Sequence, residues 1–160
     1  MHILRTFGCS VAMLIALTGV TSAEEQTLKF RVIMTKMDGS AFPVAGLEKR
    51  VLGAEKFAGF AVFDDGRIAY KTVVLTSDAT GDAGKYTGFS TYEFHNGDVL
   101  VVGFDGAATS KGSGGDYKVV SGKGAYAGAT GTGNFRAVAN PWKDADMYEG
   151  SITVLLSGKP

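Results

Sequence analysis

Two carboxylates stand inside stretches with strand character. Glu93 lies in "STYEF" and Glu149 in "MYEGS". An acid on the solvent side of a strand is the default and does no chemistry. One turned into an apolar interior has its pKa raised and can act as a general acid or base. Tyr92 adjoins Glu93, and Tyr70 could bring a second phenol to the same space. Glu93 and Tyr92 are therefore the candidate catalytic residues. Periodicity does not choose their direction, because Phe89, Thr91 and Glu93 share a mixed face. His95 is the only histidine after residue 23 and sits beside Asn96-Gly97, the place of an exposed turn residue. Serines and aspartates abound, but no G-x-S-x-G elbow is present to build a Ser–His–Asp apparatus. Asp64, Asp65 and Asp105 abut glycine-bearing turns, where carboxylates commonly bond their own backbone. With one histidine and no cysteine after Cys9, no zinc site is expected and no metal is assigned.

The glycine-rich stretch "GDYKVVSGKGAYAGATGTG", 115–133, contains Gly122-Lys123-Gly124-Ala125-Tyr126-Ala127, a loose G-x-G-x-x-G/A match. A dinucleotide site needs a strand before the motif and a helix after it. "DYKVV" supplies the strand, but "GATGTGNF" cannot make a long helix, since each glycine costs about 1 kcal/mol relative to alanine. There is no G-x-x-x-x-G-K-[ST] segment. "GSGGD" at 112–116 has the flavour of a calcium-binding repeat, but one copy cannot form a roll. The run reads instead as strand, tight crossing and next strand, with Tyr126 plugging one end of the fold.

Short stretches of β-branched and aromatic residues alternate with glycine turns throughout, and no long apolar 3.6-residue period occurs. The expected strands are 27–36, 57–64, 67–75, 85–94, 98–106, 116–121, 133–139 and 147–156. In the first, Leu28, Phe30, Val32 and Met34 share one face, and Lys29, Arg31 and Thr35 the other, with Ile33 the exception. Asp65-Gly66 and Asn96-Gly97 predict hairpins with type I′ turns, whose two central residues need positive φ. Residues 43–55 fit either a short helix or a long loop. Eight short strands suggest a barrel or a sandwich, and closure has the merit of removing exposed edges.

The first 23 residues read as an export signal: Arg5, the apolar "VAMLIALTGV", and "TSA" ending at Ala23. The apolar run is short for a bilayer of about 30 Å, so a retained anchor is the weaker reading. Cys9 precedes that run and is not placed as a lipoprotein cysteine. The expectation is a secreted or periplasmic domain over 24–160, held together without disulfides. Without Arg5, the remaining chain carries 15 basic against 16 acidic residues. That balance gives no field for nucleic acid or an anionic membrane.

Taken together these segments resemble the allene oxide cyclase and dirigent superfamily. "VVSGKGAYAGATGTG" is similar to the family's "TGG-x-G-x-F-x-G-x-x-G" segment, and "GDAGKYTGFSTYEFHNGDVLVVG" to the hairpin before it. "NPWKDADMYEGSITVLLSGKP" resembles the closing strand, and "RVIMTKMDGSAF" the opening strand with its "R-G-S-P" turn. The resemblance implies an all-β, calycin-like, eight-stranded antiparallel up-and-down barrel, often a trimer, with an elongated apolar cavity. It implies no cofactor, since such barrels act by conformational control and exclusion of water. Aligning Gly39-Ser40 with the family's Gly-Ser sets Val32 where the cyclases have a glutamate and Met34 where they have an asparagine. Ser40 matches a serine that helps position a water, Ala41 replaces the adjoining proline, and Ala127 stands near the place of a dirigent arginine. The scaffold carries over and the known activities do not.

The expected ligand cavity is lined by Phe30, Val32, Met34, Ser40, Phe60 and Tyr70, and its partner is a small hydrophobic molecule, lipid-like or phenolic. Two functions follow. One is a cofactor-independent cyclase, isomerase or dirigent-like director; the other is a non-catalytic ligand carrier or a filled structural barrel. An ionisable residue facing inward favours the first; an interior wholly of Val, Met, Phe and Leu favours the second.

Overall fold

The computed structural model describes residues 24–157. The expected export signal and Cys9 lie outside the described residues. Eight antiparallel strands close into one barrel, each paired with its neighbours in chain order and the last with the first. They are β1 (Glu24–Pro43), β2 (Arg50–Phe63), β3 (Ile68–Thr80), β4 (Ala83–Phe94), β5 (Val99–Thr109), β6 (Gly112–Lys123), β7 (Thr130–Ala137) and β8 (Asp146–Leu156). A single 3₁₀ turn, Gly124–Tyr126, follows β6. The choice between sandwich and barrel is settled for the up-and-down barrel.

Alternation along β1 is as the sequence implies. Leu28, Phe30, Val32 and Met34 are buried, while Lys29, Arg31 and Ile33 face out. The interior continues through Phe63, Tyr92, Phe94, Phe104, Tyr117 and Phe135. Rings meet edge-on or tilted, as at Phe30–Tyr92 (5.5 Å between centroids) and Tyr117–Phe135 (4.6 Å). Each large apolar side chain so buried contributes about 1.5–3 kcal/mol, and this interior has to stabilise a chain with no disulfide.

Residues 43–55 form neither helix nor long loop. The chain turns over 44–49, where Val44 N–H donates to Arg50 O at 2.9 Å, and β2 begins at Arg50. Val51 and Leu52 pair with Pro43 and Phe42, so the weak period hid a strand outside the core. Gly81 N–H donates to Lys49 O at 3.1 Å, tying the β3–β4 turn to the β1–β2 turn at the same end of the barrel.

The two Gly-marked hairpins exist, but their turns are not type I′. Gly66 N–H donates to Phe63 O and Phe63 N–H to Arg67 O, each at 2.9 Å. The connection is thus a three-residue loop with positive φ at Gly66 alone (85°). Phe94, Gly97 and Asp98 repeat the pattern, with φ of 86° at Gly97. A type I turn followed by a left-handed glycine suits Asp65 and Asn96. Their side chains accept from the backbone N–H groups of Arg67 and Asp98, which a type I′ turn would not need.

The end of the barrel formed by these two hairpins is closed by Tyr126. It is buried, stacks on Phe94 at 5.4 Å and accepts from Arg67 Nη1 at 2.7 Å.

Candidate functional site

The loop length at Gly66 decides which face of β3 turns inward. A two-residue loop would pair Phe60 with Lys71. The three-residue loop pairs Phe60 with Tyr70 and Gly59 with Lys71. Phe60 faces out, so Tyr70 does too, and Ala69, Lys71, Val73 and Leu75 line the inside.

The consequence is an amine in the middle of the barrel. Lys71 is 2 % exposed, and its Nζ donates to the Tyr117 hydroxyl at 3.0 Å. Three rings surround it, with Nζ 4.9 Å from the Tyr92 centroid, 5.4 Å from Tyr117 and 5.5 Å from Phe30. Among the described residues no carboxylate pairs with it. Ring faces hold a cation weakly compared with a carboxylate, so loss of water prevails and burial lowers the pKa of Lys71 from 10.5 to about 7. Burial also raises Tyr117 and holds Tyr92 well above the ordinary phenol value. Both phenols therefore keep their protons at neutral pH. The Tyr92 hydroxyl is fully buried and lacks a hydrogen bond of regular geometry.

Lys71 and Tyr117 form the floor of a pocket of about 380 Å³ that opens at the end opposite Tyr126. Such a volume lies in the lower part of the range for small-molecule sites, about 300–1,000 Å³. Its walls are Met34, Phe57, Val73, Leu75, Phe104 and Phe135, with the hydroxyls of Ser90, Tyr86 and Tyr148 among them. Tyr86 is held by Ser113 Oγ at 2.7 Å. At the mouth stand Glu55, Asp82 and Asp146 with Lys85. Glu55 is paired with Lys36 at 2.5 Å, and burial followed by the charge of Glu55 raises Asp146. The arrangement offers an apolar slot, one proton acceptor at its base and phenol donors beside it.

Of the residues expected in the cavity, Met34 lines the pocket. Phe30 and Val32 point inward but belong to the packed interior. Three placements must be corrected. Ser40 is exposed on the part of β1 that runs beyond its pairing with β8, which ends at Met34. Phe60 and Tyr70 meet edge-to-face on the outer wall, 5.6 Å between centroids, because their register partners them on the outward face. The expected convergence of Glu93 with Tyr92 also fails. Adjacent strand residues point to opposite faces, so Tyr92 is inside while Glu93 is outside, across from Tyr70 and near His95. Glu149 is likewise outward, paired with Arg136 and, at 3.8 Å, with Arg31.

Sequence reasoning did not single out Lys71. Its strand has two equally apolar faces, Ala69, Val73 and Leu75 against Ile68, Tyr70 and Val74. A lysine in such a strand is read as solvent-facing. The usable signal was the glycine at the third loop position, which sets the register.

Comparison with known proteins places this architecture. The chain has the fold of dirigent-protein barrels. It is similar in structure to the pterocarpan synthase dirigent protein GePTS1, with a TM-score of 0.60 and 14% identity over 92% of this chain and 99% of that one. A second pterocarpan synthase dirigent protein, PsPTS1, matches with a TM-score of 0.59 and 14% identity over 85% and 97%. A protein of unknown function from the DUF3224 family of Shewanella oneidensis MR-1 matches at 0.48 and 19% identity, over 87% and 99%. No family model matches the sequence, and no curated protein matches it.

Proposed function

We propose that this chain is an exported barrel that takes a small, largely apolar molecule into the Lys71 pocket. There it orients the molecule for a cofactor-independent isomerisation or cyclisation, with Lys71 as proton acceptor and Tyr117 as donor. The observation that carries the reading is the buried amine on the floor of an apolar pocket, hydrogen-bonded to a phenol. A lysine without a counter-ion is costly to bury and adds nothing to packing that a methionine could not. The substrate-orienting dirigent barrels of like fold lend support at the level of scaffold alone.

Ring opening of 5-nitrobenzisoxazole, an apolar probe that reports proton abstraction, tests it. Saturable opening is expected, rising with pH through about 7 as the amine loses its proton. Lys71→Met should slow it by about a hundredfold, a usual share for a general base. Ala79→Trp, which fills the mouth, should abolish saturation. Equal rates in wild type and Lys71→Met would refute the catalytic role, and binding of the neutral dye N-phenyl-1-naphthylamine without ring opening would leave a carrier.

A further inference from the structure

Resting on that reading of the pocket, we propose that Lys71 is also a nucleophile, and that the molecule it serves is a neutral aldehyde or ketone held as an imine. Four features converge on this. The amine is walled from bulk water yet forms part of the pocket surface, so a carbonyl carbon entering the slot meets it directly. Among the described residues no carboxylate neutralises it, so the free-base form, which carries the lone pair, is favoured by its surroundings. The Tyr117 hydroxyl, already 3.0 Å from Nζ, stays protonated and can donate to a carbonyl oxygen brought to the same point. At the mouth Glu55, Asp82 and Asp146 stand against Lys85 and against Lys36, which pairs with Glu55; the remaining excess of one acid does not favour the rival occupant of a buried lysine, an anion such as a carboxylate.

The step balances without any oxidant or cofactor. The Lys71 lone pair forms the C–N bond while the carbonyl π pair moves to oxygen, which takes the Tyr117 proton. The nitrogen returns a proton to Tyr117. The hydroxyl then leaves as water with a second proton taken from Tyr117, so that a protonated C=N replaces one C=O and the Tyr117 phenolate remains to accept the proton next lost from the neighbouring carbon. The protonated imine withdraws electrons from the neighbouring carbon. That eases loss of a proton there and allows a double bond to migrate, the isomerase chemistry of the preceding section.

The full chain incubated with trans-cinnamaldehyde and sodium cyanoborohydride at pH 7.5, followed by intact mass and peptide mapping, tests the inference. Lys71 should be alkylated at least tenfold faster than exposed lysines such as Lys29 and Lys118. Occlusion by Ala79→Trp should abolish this adduct, and Lys71→Met should leave only slow surface labelling. If Lys71→Met does not fold, the mapped site in the wild-type chain still decides. Adducts spread over surface lysines with none at Lys71, in protein that binds N-phenyl-1-naphthylamine, would overturn the imine and leave the pocket reading standing. Failure to bind the dye, together with no adduct at Lys71, would overturn both.

Discussion

Lys71 is the residue on which stability and chemistry meet. Its pKa falls from 10.5 to about 7 on folding. Between those values the unfolded chain binds a proton that the folded chain does not, so stability rises with pH across the window. Below about 7 the folded chain must also carry the charge, and the penalty is complete, on the order of 5 kcal/mol. Near pH 10 the sign reverses. Tyr86, Tyr92, Tyr117 and Tyr148 are held neutral by burial while the unfolded tyrosines ionise. Lys71→Met should therefore raise the urea midpoint at pH 6 and flatten the rise from pH 7 to 10. Parallel slopes in the two proteins would show that the amine is never forced to give up its proton.

Turns decide more than connection at the scale of elements. The loops ending in Gly66 and Gly97 each hold one left-handed glycine, and a Cβ at either would meet nothing within 4 Å. Gly97→Ala therefore isolates the conformational cost, about 1–2 kcal/mol, readable as a drop in urea midpoint with unchanged m-value. The third loop residue at Gly66 sets the β2–β3 register, and the register selects the inner face of β3. A shift of one residue exchanges Lys71 for Tyr70 across the wall. The fold class, the first strand's inner face and the place of both hairpins were legible in residue patterns. The second strand's start was not, because residues 50–56 pair in a part of the barrel where little apolar burial marks the period.

At the scale of the whole molecule, the barrel is closed by Tyr126 at one end and open above Lys71 at the other. Val32 lies in the packed part, 1 % exposed. Val32→Glu should thus collapse the fold, by about 3 kcal/mol or more, as a carboxylate without a partner. Its neighbour Ile33 pairs with Phe60, and Phe60 with Tyr70, in an apolar row across three strands of the outer wall. We propose this row as the contact through which copies of the chain associate, the assembly that the family resemblance leads one to expect. Ile33→Glu should leave the melting temperature of the isolated barrel nearly unchanged and shift sedimentation toward a single chain. A wild-type protein already sedimenting as one chain would end the idea of an assembly.

Alternating patterns and glycine turns suffice, without any coordinates, to determine an all-β chain with eight strands, an apolar face on the first, and a plug at Tyr126. These are local properties, set by the period of two and by the few residues that tolerate turn geometry. Which of two equally apolar faces looks inward is not local. It depends on register, and register on a single loop residue and on closure of β8 against β1. Tertiary structure alone therefore took Glu93, Phe60 and Tyr70 out of the interior and put Lys71 into it.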